Sequence, residues 1–589
     1  MSRLRYKLVL VLLTAFISFL NLKVYINIST NQYAVKSVTP ALRGSIYDSR
    51  GRLLATSEIV YTAYLDLDYL RSFAGNGFKK DPDFVKMLMN FGIAEKISEL
   101  DSRKILRLGS VQKREEAIKK IPTIYLKFVS IEPEERRNSI SDFGLSMIIG
   151  KTDQRYGISG VEAYFDKILR PVRNGIVQMN YSGFLGRRIN TLSIDPQNGK
   201  NVRITIDSGL QRELYKLASD YKEKKQATEV GILIMESKTG KLRVALTTQS
   251  WPTYYMGYIE PGSTIKPILF ASAIELGLVN SDSHFYCPGY VQPIEGLDLK
   301  IKDLEVHKDI NLYDGLVHSC NVASVLTVKK IVDTFGTEKL YEVLSSFGFG
   351  KETGIELSGE IPGKLNPPDK WYRADWAFIG IGQSIGVTPI QLLAAFNTIV
   401  NDGEYVQPTL DDEKVPNKKR LLSKNTTNIV KNMLFDVVEK GTGINARIEG
   451  IKILGKTGTA QKNQKKDVTA IFVGQVYLDI PYTVMVWVDS PQSEKLSSIV
   501  AAPFFKDVVL KIKEFQDKYE KKNISDFSSL PDMKGWTLKH VNEFLKSSTT
   551  TDIAVRIHSR GLYVSNYTLS TTNEATVIDL WLTPTPPID

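Results

Sequence analysis

A long, mostly apolar run follows the first seven residues: Leu8 to Leu22 contains no charged residue, and Val24 to Ile28 extends the run past Lys23. Together these reach the roughly 20 residues that a bilayer-crossing helix needs. Lys23 is long enough to carry its ammonium to an interface. Arg3, Arg5 and Lys7 lead the run, which places the N-terminus in the cytoplasm and everything after residue 28 outside. The following Leu22-Lys23-Val24-Tyr25-Ile26-Asn27 offers no small-x-small cleavage signal, so the anchor is expected to stay.

From Asn31 to Lys222 short β-like runs alternate with charged helical stretches. Strands are predicted at Ile46-Tyr47, Ala63 to Asp66 and Val202 to Ile206, and Asp101 to Lys127 reads as a polar helical excursion. This α+β region carries no constellation of catalytic residues. A hairpin follows, with Val230 to Met235 and Leu242 to Leu246 flanking Lys238-Thr239-Gly240-Lys241. The period then turns helical: Ile268 to Leu276 stops at Gly277, and Asn321 to Val332 repeats its apolar positions. Thr388-Pro389 opens a third helix that closes at Asp402-Gly403, with a capping hydroxyl and a first-position proline. Val468 to Val476 and Tyr482 to Val488 are predicted strands, and Pro503 to Lys518 a helix. Strands, helices and strands again imply a sheet covered by helices. Beyond the charged linker Lys518 to Asn523, a helix with Leu538, Val541 and Leu545 on one face and a strand from Thr576 to Leu582 make a small βα module. The pattern thus divides the chain into a tip and anchor (1–30), a pedestal (31–222), a sheet-and-helix domain (223–520) and the terminal module (524–589).

At 589 residues the chain exceeds what a single core usually organises. Its net charge of +11 is scattered rather than gathered into a stripe, which argues against nucleic acid as a partner. Cys287 and Cys320 are the only cysteines; they offer neither a disulfide framework nor a metal-ligand spacing, so no metal or cofactor is expected.

Three short patterns carry chemistry. Gly262-Ser263-Thr264-Ile265-Lys266 is a Ser-x-x-Lys at a predicted helix start, where a three-residue spacing lets the Lys266 amine approach the Ser263 hydroxyl. A desolvated lysine there would take the proton of an otherwise poor nucleophile. His318-Ser319-Cys320-Asn321 gives Ser-x-Asn, a hydroxyl to relay a proton and an amide to hold a substrate. Gly455-Lys456-Thr457-Gly458-Thr459 offers a cation and two hydroxyls on an edge strand, with a glycine where a substrate backbone approaches. Singly, each pattern is more often a helix cap or an ordinary turn. Jointly and in this order they match the serine penicilloyl-transferring enzymes. A competing match, Gly450 to Thr457 as a G-x-x-x-x-G-K-T phosphate loop, fails on context, because Ile451 to Leu454 is itself strand-like and no helix follows Thr457.

With those residues in place the chain resembles the class B penicillin-binding proteins over nearly its whole length. Arg43-Gly44-Ser45-Ile46-Tyr47-Asp48 with Gly51, Leu54 and Ala55 is similar to the family's opening signature. Gly157 to Glu162, Thr205-Ile206-Asp207 with Leu210-Gln211, and Gly382-Gln383 with Val387 to Gln391 are similar to further family stretches. Pro531-Asp532-Met533-Lys534-Gly535 resembles the start of a PASTA domain, which points toward division-type or spore-cortex-type relatives. The resemblance implies an α+β multidomain protein: a transmembrane helix, an α+β pedestal or dimerisation domain, a penicillin-binding transpeptidase domain built on an antiparallel sheet covered by helices, and a PASTA-like module. It implies a D,D-transpeptidase on the outer side of a bacterial plasma membrane, acting through Ser263 as nucleophile and Lys266 as base. Ser319 would shuttle a proton, Asn321 would hold substrate or lysine, and Lys456, Thr457, Gly458 and Thr459 would take the substrate's terminal carboxylate. The backbone N–H groups of Ser263 and Thr459 would form the oxyanion hole. Stem peptides on a lipid-linked precursor polymer, β-lactams, a glycosyltransferase and division proteins are the implied partners.

Two departures stand out. The segment from Trp251-Pro252 to Gly262 is shorter than the family's, and Ser384 stands where a glycine is commoner. Rival readings are a D,D-carboxypeptidase or β-lactamase, a β-lactam sensor, and a catalytically idle scaffold. The long N-terminal region weighs against the hydrolases, and the lack of further spans or an output domain weighs against the sensor.

Overall fold

A run of eight residues, Glu229–Glu236, buried on both faces, is the central strand around which the larger part of the chain is laid down. A computed structural model describes residues 2–30, 32–153, 156–182, 188–462, 467–492, 494–520, 533–538, 541, 553–559, 563–571 and 576–583. Two compact units emerge. One comprises Met1–Ser45, Thr56–Asn138 and Ile168–Asn201; the other comprises Ile46–Ala55, Ser139–Lys167 and Val202–Asp589. The units interleave along the chain, where the sequence pattern placed consecutive boundaries.

In the first unit the N-terminal helix Ser2–Thr30 contains Tyr6–Val24, long and apolar enough to cross a membrane. Strand Gln32–Thr39 pairs antiparallel with Gly175–Ser182, which pairs with Arg188–Ile194. The stretch expected to be a polar excursion is instead packed. It forms strand Ile105–Val111, helix Arg114–Lys120 and a 3₁₀ turn Thr123–Phe128, and it buries Leu106, Leu108, Ile121, Tyr125 and Phe128 against Phe84, Met87 and Leu88. Leu106 and Leu108 alternate with Ile105 and Arg107, a period of two that reads as polar when averaged over a helical window.

The second unit holds a five-stranded antiparallel sheet. Its spatial order is Leu242–Thr247, Glu229–Glu236, Pro481–Asp489, Asp467–Tyr477 and Ile453–Lys462. Helices Ser208–Lys225 and Ser497–Glu520 share one apolar cluster with these strands, where Tyr221 stacks on Phe504 at 4.3 Å. Helix Pro389–Val400 is tied to the sheet through Asn397, which donates to Ser237 O at 2.9 Å and accepts from Thr483 Oγ1 at 2.6 Å. Covered faces explain why the strands read as continuous apolar runs rather than alternating ones. The helix expected over Pro503 to Lys518 begins earlier, at Ser497, so that Pro503 lies inside it. Helix Pro389–Val400 has its expected capping hydroxyl, Thr388, and first-position proline, and Gln391 completes a capping box in addition to them.

The terminal module forms a three-stranded sheet, Ile553–Ile557, Thr576–Thr583 and Tyr563–Thr571 in spatial order, around Met533, Trp536, Val541, Ile578 and Leu580. It has two more strands than the sequence pattern disclosed. Pro531, Asp532 and Leu545 of that expected module, and residues 521–523 of the linker, lie outside the described residues.

A charged hub organises the entry to helix Ser208–Lys225. Asp48, with no exposed surface, accepts from the Arg50 and Arg52 amides at 2.9 and 2.8 Å and from Ser208 Oγ at 2.6 Å. Asp207 caps the helix and binds the Arg50 and Arg52 guanidinium groups at 2.5 and 3.3 Å. Burial pushes the Asp48 carboxyl upward; the same burial opposes ionisation of Asp207, but the two arginines outweigh it and hold that carboxyl down. Asp207→Ala removes the cap and strands both guanidinium groups. It is expected to lower stability by about 3 kcal/mol in a urea titration followed by tryptophan fluorescence, whereas a loss below about 0.5 kcal/mol would identify the hub as a solvated surface network.

Candidate active site

Ser263 sits on a 3₁₀ turn, Gly262–Ile265, that runs directly into helix Lys266–Glu275. The turn is wedged between two glycine segments. Gly262 has φ of 54° and donates its N–H to Gly382 O at 3.0 Å, and a Cβ at Gly382 would stand 2.0 Å from Gly262 O. On the other side, a Cβ at Gly458 would meet Thr264 Cγ2 at 2.6 Å and Pro261 O at 2.9 Å. Strand Ile453–Lys462 therefore lies against the turn as closely as a backbone allows, with Ser263 left half-buried at the seam. Ser384 adopts φ of 58° and donates from Oγ to Asp375 Oδ1 at 3.0 Å, so the position where glycine is commoner demands a left-handed backbone, which the serine meets.

Lys266 and Lys456 are both fully buried, and they converge on Ser319. Lys266 Nζ donates to Ser319 O at 2.6 Å, Asn321 Oδ1 at 2.7 Å and Ser319 Oγ at 3.5 Å. Lys456 Nζ donates to Ser319 Oγ at 2.8 Å and Thr457 O at 3.1 Å. The three-residue spacing puts the Lys266 amine within possible reach of the Ser263 hydroxyl. Instead, all three ammonium protons are engaged by the Ser-x-Asn turn. Ser319 holds φ of 61°, a left-handed conformation that presents both its carbonyl and its hydroxyl to the lysines. Asn321 Nδ2 donates to Lys302 O at 2.9 Å, which fixes its amide with the oxygen toward Lys266.

Burial lowers the Lys266 amine to about 8, against the opposing pull of Asp303 and Cys320. Lys456 is pushed well below its ordinary value by burial and then by the neighbouring Lys266 charge. The two cannot both stay charged without cost.

Along the edge strand, Thr457 Oγ1 donates to Thr442 Oγ1 at 3.1 Å, and Thr459 Oγ1 shares a 2.7 Å bond with Ser497 Oγ. Ser497 also bonds Gly458 O and receives the Ile471 N–H at 3.3 Å. Neither Thr442 nor Ser497 belongs to a motif; both reach the strand from elsewhere in the chain, which no local pattern signals. Ahead of Ser263, the short segment from Trp251 folds as a helical turn Thr253–Met256 that buries Tyr254 and Tyr255. A separate hollow, lined by Asn428, Lys431, Phe435, Lys452 and Tyr477, shares no residue with this cluster. Lys456 and Thr457 lie on a strand, so the phosphate-loop pattern has no loop-to-helix context.

Residues 230–510 match the family described as Penicillin binding protein transpeptidase domain. Residues 38–204 match the Penicillin-binding Protein dimerisation domain. The chain is 26% identical over 565 residues to Stage V sporulation protein D of Bacillus subtilis (strain 168), covering 85% of this chain and 84% of that protein. It is 29% identical over 363 residues to the peptidoglycan D,D-transpeptidase FtsI of Escherichia coli (strain K12), covering 58% and 59%. Among solved structures, a peptidoglycan synthetase from Bifidobacterium adolescentis shares the fold with a TM-score of 0.63 at 22% identity, covering 83% of this chain and 97% of that one. Penicillin binding protein 3 from Mycobacterium tuberculosis does so with a TM-score of 0.60 at 21% identity, covering 82% and 97%. With the dimerisation and transpeptidase families matched in that order over most of its length, the chain belongs to the class B penicillin-binding proteins.

Proposed function

We propose that the chain is a peptidoglycan D,D-transpeptidase that cross-links stem peptides in cell-wall synthesis during division, through an acyl-enzyme on Ser263. The observation that carries this reading is the convergence of two buried lysines on Ser319, beside the turn that holds Ser263. Lys266, once neutral, gives up one of its three bonds and gains a lone pair that takes the Ser263 proton. Ser263 Oγ then attacks the carbonyl carbon of the penultimate D-alanine. The developing oxyanion is received by the backbone N–H groups of Ser263 and Thr459. Collapse breaks the peptide bond, and Ser319, bonded to Lys456, delivers a proton to the departing D-alanine amine. An amine from a second stem then attacks the Ser263 ester and forms the cross-link, returning the hydroxyl its proton. Asn321 holds Lys266 and the substrate amide. Lys456, Thr457 and Thr459 supply the charge and hydroxyls for the terminal carboxylate, and Gly458 lets the peptide lie against the strand. β-Lactams acylate the same hydroxyl.

The N-terminal helix anchors the chain in the bacterial plasma membrane with its leading residues in the cytoplasm, so that the catalytic domain works outside. A membrane glycosyltransferase and division proteins are the partners this arrangement serves. The terminal module is read as PASTA-like on Met533-Lys534-Gly535 and its three-stranded sheet.

A fluorescent penicillin is expected to label the purified chain covalently and Ser263→Ala not at all; equal labelling of the variant would move the nucleophile elsewhere. With a thioester substrate, turnover is expected to rise when a D-amino acid acceptor is added, and indifference to the acceptor would favour a hydrolase.

The acylation rate is expected to follow the neutral fraction of Lys266. A depressed amine is protonated below its value and free above it, so the rate climbs through about pH 8, and only about a tenth of the amine is free at pH 7. Lys266→Arg, locked in the charged form, is expected to lose about 10²- to 10⁴-fold. Labelling rates across pH 6 to 10 provide the measurement, and a flat profile would remove Lys266 from the role of base.

A further inference from the structure

One stretch of chain touches both the turn that carries Ser263 and the helix that begins at Asn321. It opens with helix Asp375–Ile379, passes through Gly380 to Gln383 and continues to Val387. On one side it lies against helix Asn321–Phe335. Ser324 Oγ donates to Gly380 O at 2.6 Å, and a Cβ at Gly380 would stand 3.3 Å from Val325 Cα. On the other side it is bonded to the residues that lead into Ser263. Gly262 N–H donates to Gly382 O at 3.0 Å, Ile259 and Val387 exchange N–H to carbonyl bonds at 2.9 and 2.8 Å, and the Glu260 carboxylate accepts the Ser384 N–H. Residues 375–387 therefore bridge the two motifs whose alignment brings Lys266 against Ser319 and Asn321.

A side-chain bond clasps this bridge in its middle. Ser384 Oγ donates to Asp375 Oδ1 at 3.0 Å, while Asp375 Oδ2 accepts the Tyr372 N–H at 2.8 Å. Ser384 holds φ of 58°, a conformation that is strained for serine and free for glycine. A glycine would satisfy the backbone and leave Asp375 Oδ1 without this donor.

We propose that Ser384 and Asp375 are positioning residues for acylation, because their hydroxyl-to-carboxylate bond stiffens residues 375–387 and so holds the Ser263 turn in register with Ser319 and Asn321. The two ends of the bridge are fixed without them. Ser324 holds Gly380, and the Val387 end is held by Ile259 and by Lys364 and Gly386, which exchange backbone bonds at 2.6 and 2.9 Å. The middle is different, since Gly380, Gly382 and Gly386 put three glycines into seven positions. Such a segment has wide conformational freedom unless side chains restrain it. Ser384 is the residue there whose side chain reaches back to the helix that starts the bridge. Attack by Ser263 requires the hydroxyl, its proton acceptor and the donor to the leaving amine at fixed separations. A small drift between turn and helix therefore slows the step without changing either lysine.

The inference rests on the function proposed above, and its test begins with Ser384→Gly, which eases the backbone and is expected to keep the wild-type urea midpoint. Penicillin labelling of the full chain in detergent is expected to slow about fivefold. The rise through about pH 8 is expected to stay, because Lys266 keeps its burial. Asp375→Ala is expected to slow labelling at least as much, and Ser384→Gly to add nothing in that background, as two ends of one bond behave. Amide hydrogen exchange supplies a readout that needs no activity: peptides spanning Gly262 and Gly382 to Val387 are expected to exchange faster in Ser384→Gly. Labelling within about twofold of wild type, or an undiminished effect in the Asp375→Ala background, would overturn the assignment. So would unchanged exchange. A slowed rate with a displaced pH midpoint would place the effect on the Lys266 amine and overturn it as well. Persistent labelling of Ser263→Ala would sink the proposed function and leave the exchange result standing, so the two readings fail separately.

Discussion

Two ammonium groups taken wholly out of water, on Lys266 and Lys456, set the terms for everything packed around them. Removing such a charge from solvent costs several kcal/mol even after the protein relaxes. The surroundings answer in three ways. Acceptors are concentrated: one residue, Ser319, provides its carbonyl to Lys266 and its hydroxyl to both lysines. Backbone is bent to deliver them, with Ser319 held at positive φ. Protons are loosened, since burial lowers both amines. A solvated lysine would need none of this and would remain an inert cation at neutral pH. The same desolvation that destabilises the charged forms leaves amines that release a proton more readily beside the turn that carries Ser263.

That constraint reaches beyond the cluster through close backbone contacts. Gly262, Gly382 and Gly458 allow three segments from distant parts of the chain to touch without side chains between them. The hydroxyl of Ser497, at the start of the long C-terminal helix, then ties Thr459 and Gly458 to Ile471 of the adjacent strand. Asp48 and Asp207 perform a comparable task at the N-terminus of helix Ser208–Lys225, where two carboxylates are tolerated only because Arg50 and Arg52 stand beside them.

Much of this was legible in the sequence because it is local. The hairpin of Glu229–Glu236 and Leu242–Thr247, the capping hydroxyl of Thr388 and the two buried strands near residue 480 each announce themselves within a dozen positions. The three short motifs were readable in their order, although their bonds were not: spacing suggested Lys266 to Ser263, and the structure gives Lys266 to Ser319 and Asn321. What stayed hidden was assembled across long separations or against a local rule. Ser497 and Thr442 contribute from outside any pattern. Pro503 looks like a helix start and lies inside the helix. Cys287, Asp303, His307 and Cys320 are spaced by 16, 4 and 13 positions, and two small ribbons and the start of a helix bring them together.

The phosphate-loop match around Lys456 shows why a pattern of glycines needs a reason for each glycine. In a phosphate-binding nest the backbone must turn so that successive N–H groups face one anion. Here Gly455 and Gly458 lie within a strand paired to Gly474 and Ile471, where no such turn occurs. Gly455 is needed because a Cβ would stand 2.5 Å from the Phe472 ring, and Gly458 because it would strike Thr264 and Pro261. Gly450, the pattern's first glycine, does take φ of 76°, yet it faces open space with nothing within 4 Å of a Cβ. The glycines of the Lys-Thr-Gly strand therefore exist to bring one backbone against another and leave an edge beside Ser263. That is what a peptide substrate laid along the strand requires and what a nucleotide phosphate would not.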